Sequence, residues 1–211
     1  MHNLKSDNRT PCKRCGTCCI KGGPALHKED KKLLLAGHIK HEQLVTIRKG
    51  EPAYSPKSGK LELIKKEIVK ISGKGKTWEC LFYDNQNTSC LIYRHRPLEC
   101  RLLECRDTAR LISVIGKNTI TRIDIVNSKE PIYKFIRMHE AECPVQKAQD
   151  LISKLPGAKD KAGVMEKLSS LAKRDLEIRQ KAVSELNLSL ETELFYFGRP
   201  LFKILSSMGE L

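Results

Sequence analysis

Apolar and polar positions follow two regimes along this 211-residue chain. From Asp107 onwards the apolar residues recur mostly at the three- and four-residue steps of a helix face. Arg110 to Ile115, Ile120 to Val126 and Pro131 to Glu142 each carry that spacing, with Gly116-Lys117-Asn118 and Asn127-Ser128 between them. Val145 to Leu155 repeats it and stops at Pro156-Gly157. Lys159 to Leu186 reads as one long amphipathic helix, with Val164, Leu168, Leu171, Ala182 and Leu186 near one face and Lys and Arg opposite. Asn187-Leu188-Ser189 breaks it. The last apolar segment, Glu191 to Met208, is interrupted at Gly198-Arg199-Pro200 and is expected to dock on the rest.

Before Asp107 the apolar runs are short and closely punctuated. Leu26 to Leu35 predicts a short helix with Glu29 and Asp30 in its first turn, where they suit the helix dipole, and Gly37 at its end. Leu44 to Ile47 predicts a strand. Lys49 to Pro52 and Ser55 to Gly59 read as loop, and Leu61 to Ile71 fits helix and strand equally. Trp78 to Tyr83 and Cys90 to Tyr93 predict two strands of a hairpin joined by Asp84 to Ser89. Pro97 then opens a helix carrying Cys100, Arg101 and Cys105. The pattern therefore predicts an α+β fold, mostly α. A polar tail at 1–11 precedes one domain with a small β-hairpin, or one domain plus a helical extension. No internal repeat is present.

The cysteines change this picture most. Four of nine fall in Cys12-Lys13-Arg14-Cys15-Gly16-Thr17-Cys18-Cys19. Two C-x-x-C steps let thiolates converge within one turn, a geometry that suits tetrahedral zinc or an iron–sulfur cluster. Gly16 supplies a positive φ where such a turn needs one. Neighbouring Cys18 and Cys19 diverge in extended chain, so either one ligates and the other packs, or they serve two centres. Cys80, Cys90, Cys100, Cys105 and Cys143 form a later group. Cys100 and Cys105 do not share an ideal helical face, so only one of them is expected to face the hairpin cysteines.

Charge and composition narrow the class less. Apolar residues make up 40% and charged residues 30%, with a formal net charge of +14. That charge is compatible with nucleic acid, an acidic protein partner or a membrane surface, but the basic residues are dispersed, so a solvated basic surface is the plainer reading. No apolar run nears the roughly 20 residues that span a bilayer. Met1 to Asp7 lacks the apolar core of a signal peptide. A cytoplasmic location is therefore expected, where clustered thiols serve metals or redox chemistry more readily than disulfides. Gly73-Lys74-Gly75-Lys76-Thr77 falls short of a phosphate-binding loop, because Lys70 stands where its first glycine belongs. His38 and His41 lie three apart but lack a third nearby ligand. No catalytic triad or paired-carboxylate site is legible, so enzymatic activity stays open.

Cys12-x2-Cys15-Gly16-x-Cys18-Cys19 with Gly23-Pro24 resembles the start of the CxxCxxCC cysteine-cluster family of zinc- or iron-chelating domains. Cys80-Leu81-Phe82 and Cys90-Leu91-Ile92-Tyr93-Arg94-His95-Arg96-Pro97-Leu98-Glu99-Cys100-Arg101 resemble its second signature, and Cys143-Pro144 is similar to a further downstream motif. The resemblance covers residues 12 to 145 and so sets the domain at 12–145, with the helical extension at 146–211. It implies a metal-binding module with Cys12, Cys15, Cys18, Cys19, Cys80, Cys90, Cys100 and Cys143 as ligands, and leaves Cys105 as an extra. The implied cofactor is an iron–sulfur cluster, 4Fe–4S in type, or zinc. Arg96 and Arg101, inside the cysteine block, are expected to donate to sulfur and offset thiolate charge. The expected role is redox or accessory. The alternatives are a structural zinc module that contacts protein or nucleic acid, and a lysine methyltransferase-like enzyme, since bacterial flagellin lysine N-methylases carry a similar cluster.

Overall fold

The computed structural model describes residues 12–75 and 77–208; the polar tail expected at 1–11 lies outside the described residues. The chain first makes a one-turn helix, α1 (Thr17–Ile20), then a 3-10 turn at Lys28–Asp30 that runs into α2 (Lys31–Leu35). Strand β1 (Leu44–Ile47) follows, buried along its whole length. Strands β2 (Pro52–Ser55) and β3 (Lys60–Leu63) form an exposed hairpin, and β4 (Ile68–Ile71) returns to pair with β1. That pairing is antiparallel, with Leu44 opposite Ile71 and Ile47 opposite Ile68. The ambiguous stretch Leu61 to Ile71 thus holds parts of two strands, with a bend at 64–67 between them. Pro52 and Ser55, expected in the two loops, instead stand at the ends of a strand, with Pro52 at its start where a missing N–H costs least.

Four two-residue strands come next: β5 (Gly73–Lys74), β6 (Glu79–Cys80), β7 (Tyr83–Asp84) and β8 (Ser89–Cys90). They form two small hairpins in place of the single one expected. Cys80 pairs with Gly73, and Cys90 pairs with Tyr83. Helices α3 (Leu98–Leu102) and α4 (Ala109–Val114) complete this half. Ile120 to Val126, expected as helix, holds only a 3-10 turn at Arg122–Asp124. The Ile120 backbone is engaged elsewhere, donating to Leu26 O and accepting from Val69 N.

The long helices agree with the pattern. They are α5 (Pro131–Glu142), α6 (Val145–Lys154), α7 (Lys161–Leu186), α8 (Leu190–Phe197) and α9 (Leu201–Met208). Pro131 takes the first helical position of α5. Asp160 accepts from Gly163 N at the start of α7, and Asn187 ends that helix in the left-handed conformation. Helices α5, α6, α8 and α9 pack on α7, and α8 also covers β1. One buried apolar cluster runs through both halves, from Leu26, Leu44 and Val69 to Ile178, Phe195 and Leu201. No helix among the described residues is long and apolar enough to cross a membrane.

Buried charges tie the helical layer together. Glu140 accepts from Arg48 Nε and Arg122 Nη2, both at 2.7 Å. Burial opposes its ionisation, yet these two guanidinium groups pull its carboxyl down to about 2. His139 and Asp175 are fully buried and hydrogen-bonded to each other. Burial drives the His139 imidazole down to about 4, against an ordinary 6.5, despite the carboxylate beside it. Its Nδ1 has no hydrogen-bond partner among the described residues, a position far costlier for a charged N–H than for a bare lone pair.

A pH dependence follows from this neutral histidine. Between pH 6.5 and about 4 the unfolded chain binds a proton at His139 that the folded chain does not. Stability therefore falls as pH drops through that window, by up to roughly 3 kcal/mol. Urea midpoints at pH 7 and pH 4.5 should show a steeper loss for the wild type than for His139→Gln. Equal losses would remove His139 as the cause.

Candidate metal centre

Helix α1 stands at the middle of the cysteines. Gly16 precedes it with φ +77° and its carbonyl accepts from Ile20 N at 2.9 Å. A side chain on Gly16 would run into the Tyr83 hydroxyl, so this turn is seated directly on β7. Gly23, after the helix, passes close to Ile71 and leaves no room for a Cβ. Glycine at these two points lets the cysteine turn lie flat on the strands behind it. Upstream, Arg14 takes a φ of 57° and its N–H donates to Cys12 Sγ at 3.4 Å. Cys15 Sγ lies 3.4 Å from Thr17 Oγ1, and Cys18 Sγ lies 4.0 Å from Cys19 Sγ.

The other thiols arrive on short elements. Strand β6 lies against α1 and brings Cys80. Strand β8 brings Cys90, and α3 brings Cys100. Helix α3 is fixed by two carboxylates. Asp30 Oδ1 accepts from Leu98 N at 2.8 Å, while its Oδ2 accepts from His27 N at 2.9 Å. Glu99 accepts from Ala25 N at 2.9 Å and lies 3.2 Å from His27 Nε2. The segment after α1 and the helix that carries Cys100 are therefore clamped together.

The thiols sense one another electrostatically. Burial pushes the Cys100 thiol well above its ordinary range, and the neighbouring Cys80, Cys18, Cys90 and Cys19 push it further. Burial pushes Cys19 up to about 12, with Cys18, Cys80 and Cys90 adding to the effect. Cys18 is raised by burial and by nearby Cys12 and Cys105. Cys15, fully exposed, is lowered by hydrogen bonds with Thr17, with a smaller lowering from nearby Cys105. A crowd of thiols whose ionised forms repel one another is stabilised when a soft cation takes their protons' place.

Cationic side chains face the same sulfurs. Lys74 and Arg96 lower the thiols of Cys80 and Cys90 respectively, against the larger effect of burial. Lys70 lies behind Cys80, its own ammonium disfavoured by burial. Arg96 donates to Tyr93 O and lies over the Tyr93 ring at 3.9 Å. Arg101, expected to offset sulfur, instead pairs with Glu29 and donates to Arg96 O.

Two expected site members change standing. Cys143 is fully buried among the long helices, with Leu171, Asp175 and Arg48 as its neighbours. Its Sγ points to Leu171 O at 3.9 Å, and its carbonyl accepts from Arg48. Burial and Asp175 push its thiol up to about 11, as for a packed core cysteine. Cys105, left as an extra, sits beside Cys15 and Cys18. The two histidines do not meet: His38 stacks on His95, and His41 packs on Phe195. Sequence reasoning also missed the clamp of His27, Asp30 and Glu99. Glu29-Asp30 was legible there only as acidic residues opening a helix.

Residues 11–122 match the family model described as "CxxCxxCC: Putative zinc- or iron-chelating domain". The chain belongs to the CxxCxxCC family. The match ends short of Cys143, in keeping with that thiol's place in the core. No curated protein and no solved structure matches the chain.

The family description supports a metal-binding role, and the donors here are suited to it by their chemistry. All are sulfur, and the 4.0 Å between Cys18 Sγ and Cys19 Sγ is close to the edge of roughly 3.8 Å expected for a tetrahedron with Zn–S bonds of about 2.3 Å. Among the described residues no three His, Cys, Asp or Glu side chains already meet at metal-binding spacing. Holding an ion would therefore require the thiols to draw closer together.

Proposed function

We propose that this chain is a thiolate-ligated metal protein whose favoured occupant is an iron–sulfur cluster, with zinc as the alternative. One observation carries the reading. Thiols from three separated stretches, 12–19, 80–90 and 100–105, lie in electrostatic range of one another, with no imidazole in the group among the described residues. When bound, such a cluster passes single electrons, whereas zinc in the same donors holds the fold.

The chain's own residues shape the setting. Lys70, Lys74 and Arg96 face the thiolates and offset the negative charge that a sulfur-only donor set builds up. Cys15 and Cys105 are exposed, so the sulfur cluster reaches the surface on one side, as exchange of electrons with a partner requires. Cys80 is buried at its other side.

Purification without air tests the proposal. The expected result is a brown protein with iron and inorganic sulfide in fixed proportion to chain, whose visible absorption bleaches on reduction. A colourless protein with stoichiometric zinc supports the structural alternative. A folded protein that takes up neither metal overturns both.

A further inference from the structure

We infer that Lys13, Arg14, Arg94 and Arg96, gathered at the Tyr93 ring beside the exposed Cys15, form a docking surface for an acidic protein. This goes beyond the metal-protein reading and stands on different observations.

One aromatic ring carries two cations. The Arg14 guanidinium lies 4.5 Å from the centre of the Tyr93 ring, and the Arg96 guanidinium lies 3.9 Å from it. Arg96 is held there by its Nε, which donates to Tyr93 O at 3.0 Å. Lys13, Arg14 and Arg94 are exposed, and Arg14 directly precedes exposed Cys15. Like charges gathered at one ring repel each other unless carboxylates stand between them. This part of the chain supplies none, since residues 12–28 and 85–98 contain no Asp or Glu. Ion pairs such as Arg101 with Glu29 and Arg110 with Glu104 do form, but among the described residues none engages Lys13, Arg14, Arg94 or Arg96. The lysines of α7 differ, because Glu166, Glu177 and Glu185 stand among them as on an ordinary solvated face.

A partner's carboxylates supply the counter-charge that this chain does not. Guanidinium groups meet them in a two-pronged fork, which fixes orientation as well as charge. Leu91, two residues before Tyr93 and 66% exposed, adds an apolar contact. Arginine, tyrosine and an exposed aliphatic side chain in one place have the make-up of a protein interface centre. Nucleic acid is held instead by cations that follow its line of phosphates. The surface lies on the side where Cys15 reaches solvent, so a docked protein would sit next to the sulfurs.

Fluorescence anisotropy of labelled poly-L-glutamate, titrated with the full chain purified without air, tests this. Arg14→Glu with Arg94→Glu should weaken binding about tenfold or more, while Lys161→Glu with Lys167→Glu, an equal change of net charge on α7, should weaken it less than about threefold. Tyr93→Leu removes the ring that both guanidinium groups share and should also weaken binding. Tyr93→Phe keeps the ring and should match the wild type. Where charge reversal unsettles the fold by circular dichroism, Arg14→Gln with Arg94→Gln gives the same contrast. Equal losses from the arginine and lysine reversals would show that net charge alone is read and would overturn the docking surface. Duplex DNA or phosphatidylserine vesicles bound more tightly than poly-L-glutamate, through the same arginines, would overturn the protein partner. Metal content of each sample keeps the two readings apart. A metal-free wild type whose poly-L-glutamate binding still depends on Arg14 and Arg94 supports the docking surface while removing the metal proposal.

Discussion

Replacing Arg179 by alanine should lower the unfolding free energy by about 3–5 kcal/mol. The side chain is almost fully buried on α7 and serves five groups. Its Nε donates to both oxygens of Asp175 at 3.1 Å. Its Nη1 donates to Glu193 and to Gly198 O, each at 3.0 Å, and its Nη2 to the carbonyls of Phe197 and Arg199 at 3.0 and 3.1 Å. Those carbonyls belong to the turn between α8 and α9, which no helix bond satisfies. Truncation leaves them without a donor and leaves the Asp175 carboxylate buried without its cation. Asp175 would keep only His139 and Leu201 N, at 3.0 Å, as partners. Lysine should rescue less than half the loss, because one ammonium cannot spread three donors over that fork of acceptors. Urea unfolding followed by circular dichroism measures both variants. A loss below about 1 kcal/mol for alanine would show that solvent replaces these bonds cheaply.

The helices of this layer were legible because local signals agree with the packing. Apolar spacing, Pro131 at a helix start and Asn187 at a helix end all point the same way. Arg179 itself was not legible, since a lysine- and arginine-rich helix face gives no sign that one guanidinium turns inward. Ile120 to Val126 misled for a related reason. Its apolar residues sit at helical spacing, but the backbone of Ile120 is taken by Leu26 and Val69 from distant segments, and Ile123 is left exposed. Tertiary pairing overrode the local period.

The site was legible in its parts and not in its assembly. The tight C-x-x-C steps marked the first four thiols, and the hairpin signal placed Cys80 and Cys90 near each other. Cys105 was left as an extra to the family pattern, and a helix through Cys100 and Cys105 would have let only one of them face the hairpin cysteines. Helix α3 stops at Leu102, so Cys105 lies beyond its end and the chain can turn its thiol toward Cys15. Cys143 was drawn in by a dipeptide, and a dipeptide carries no information about which side of a core it faces. The clamp at Asp30 needed contacts across 68 residues and no local pattern announces those.

That clamp should prove the most sensitive point outside the sulfurs. Asp30→Ala is expected to weaken metal retention by roughly 10–100-fold, although Asp30 is not itself among the proposed ligands. The carboxylate is fully buried and accepts from two backbone N–H groups in separate segments. One is Leu98 N, the first donor of the helix that carries Cys100; the other is His27 N, eight residues past Cys19. Burial raises the Asp30 carboxyl, and the two N–H groups with His27 and Arg101 work against that rise. Alanine leaves both N–H groups buried and unpaired, a cost of about 1–3 kcal/mol each, which the structure can relieve only by letting α3 draw away from the α1 side. Cys100 then moves relative to Cys19. Asp30→Asn keeps one carbonyl oxygen and should hold one of the two N–H groups, giving an intermediate loss. Asp160→Ala separates this from a general loss of stability. It removes a helix cap in α7, worth about 1 kcal/mol, at a distance in the chain from every cysteine of the site. Chelator competition on the loaded protein should rank release as Asp30→Ala fastest, then Asp30→Asn, with Asp160→Ala matching the wild type. If Asp30→Ala instead releases metal no faster than Asp160→Ala, the clamp stabilises the fold without positioning Cys100.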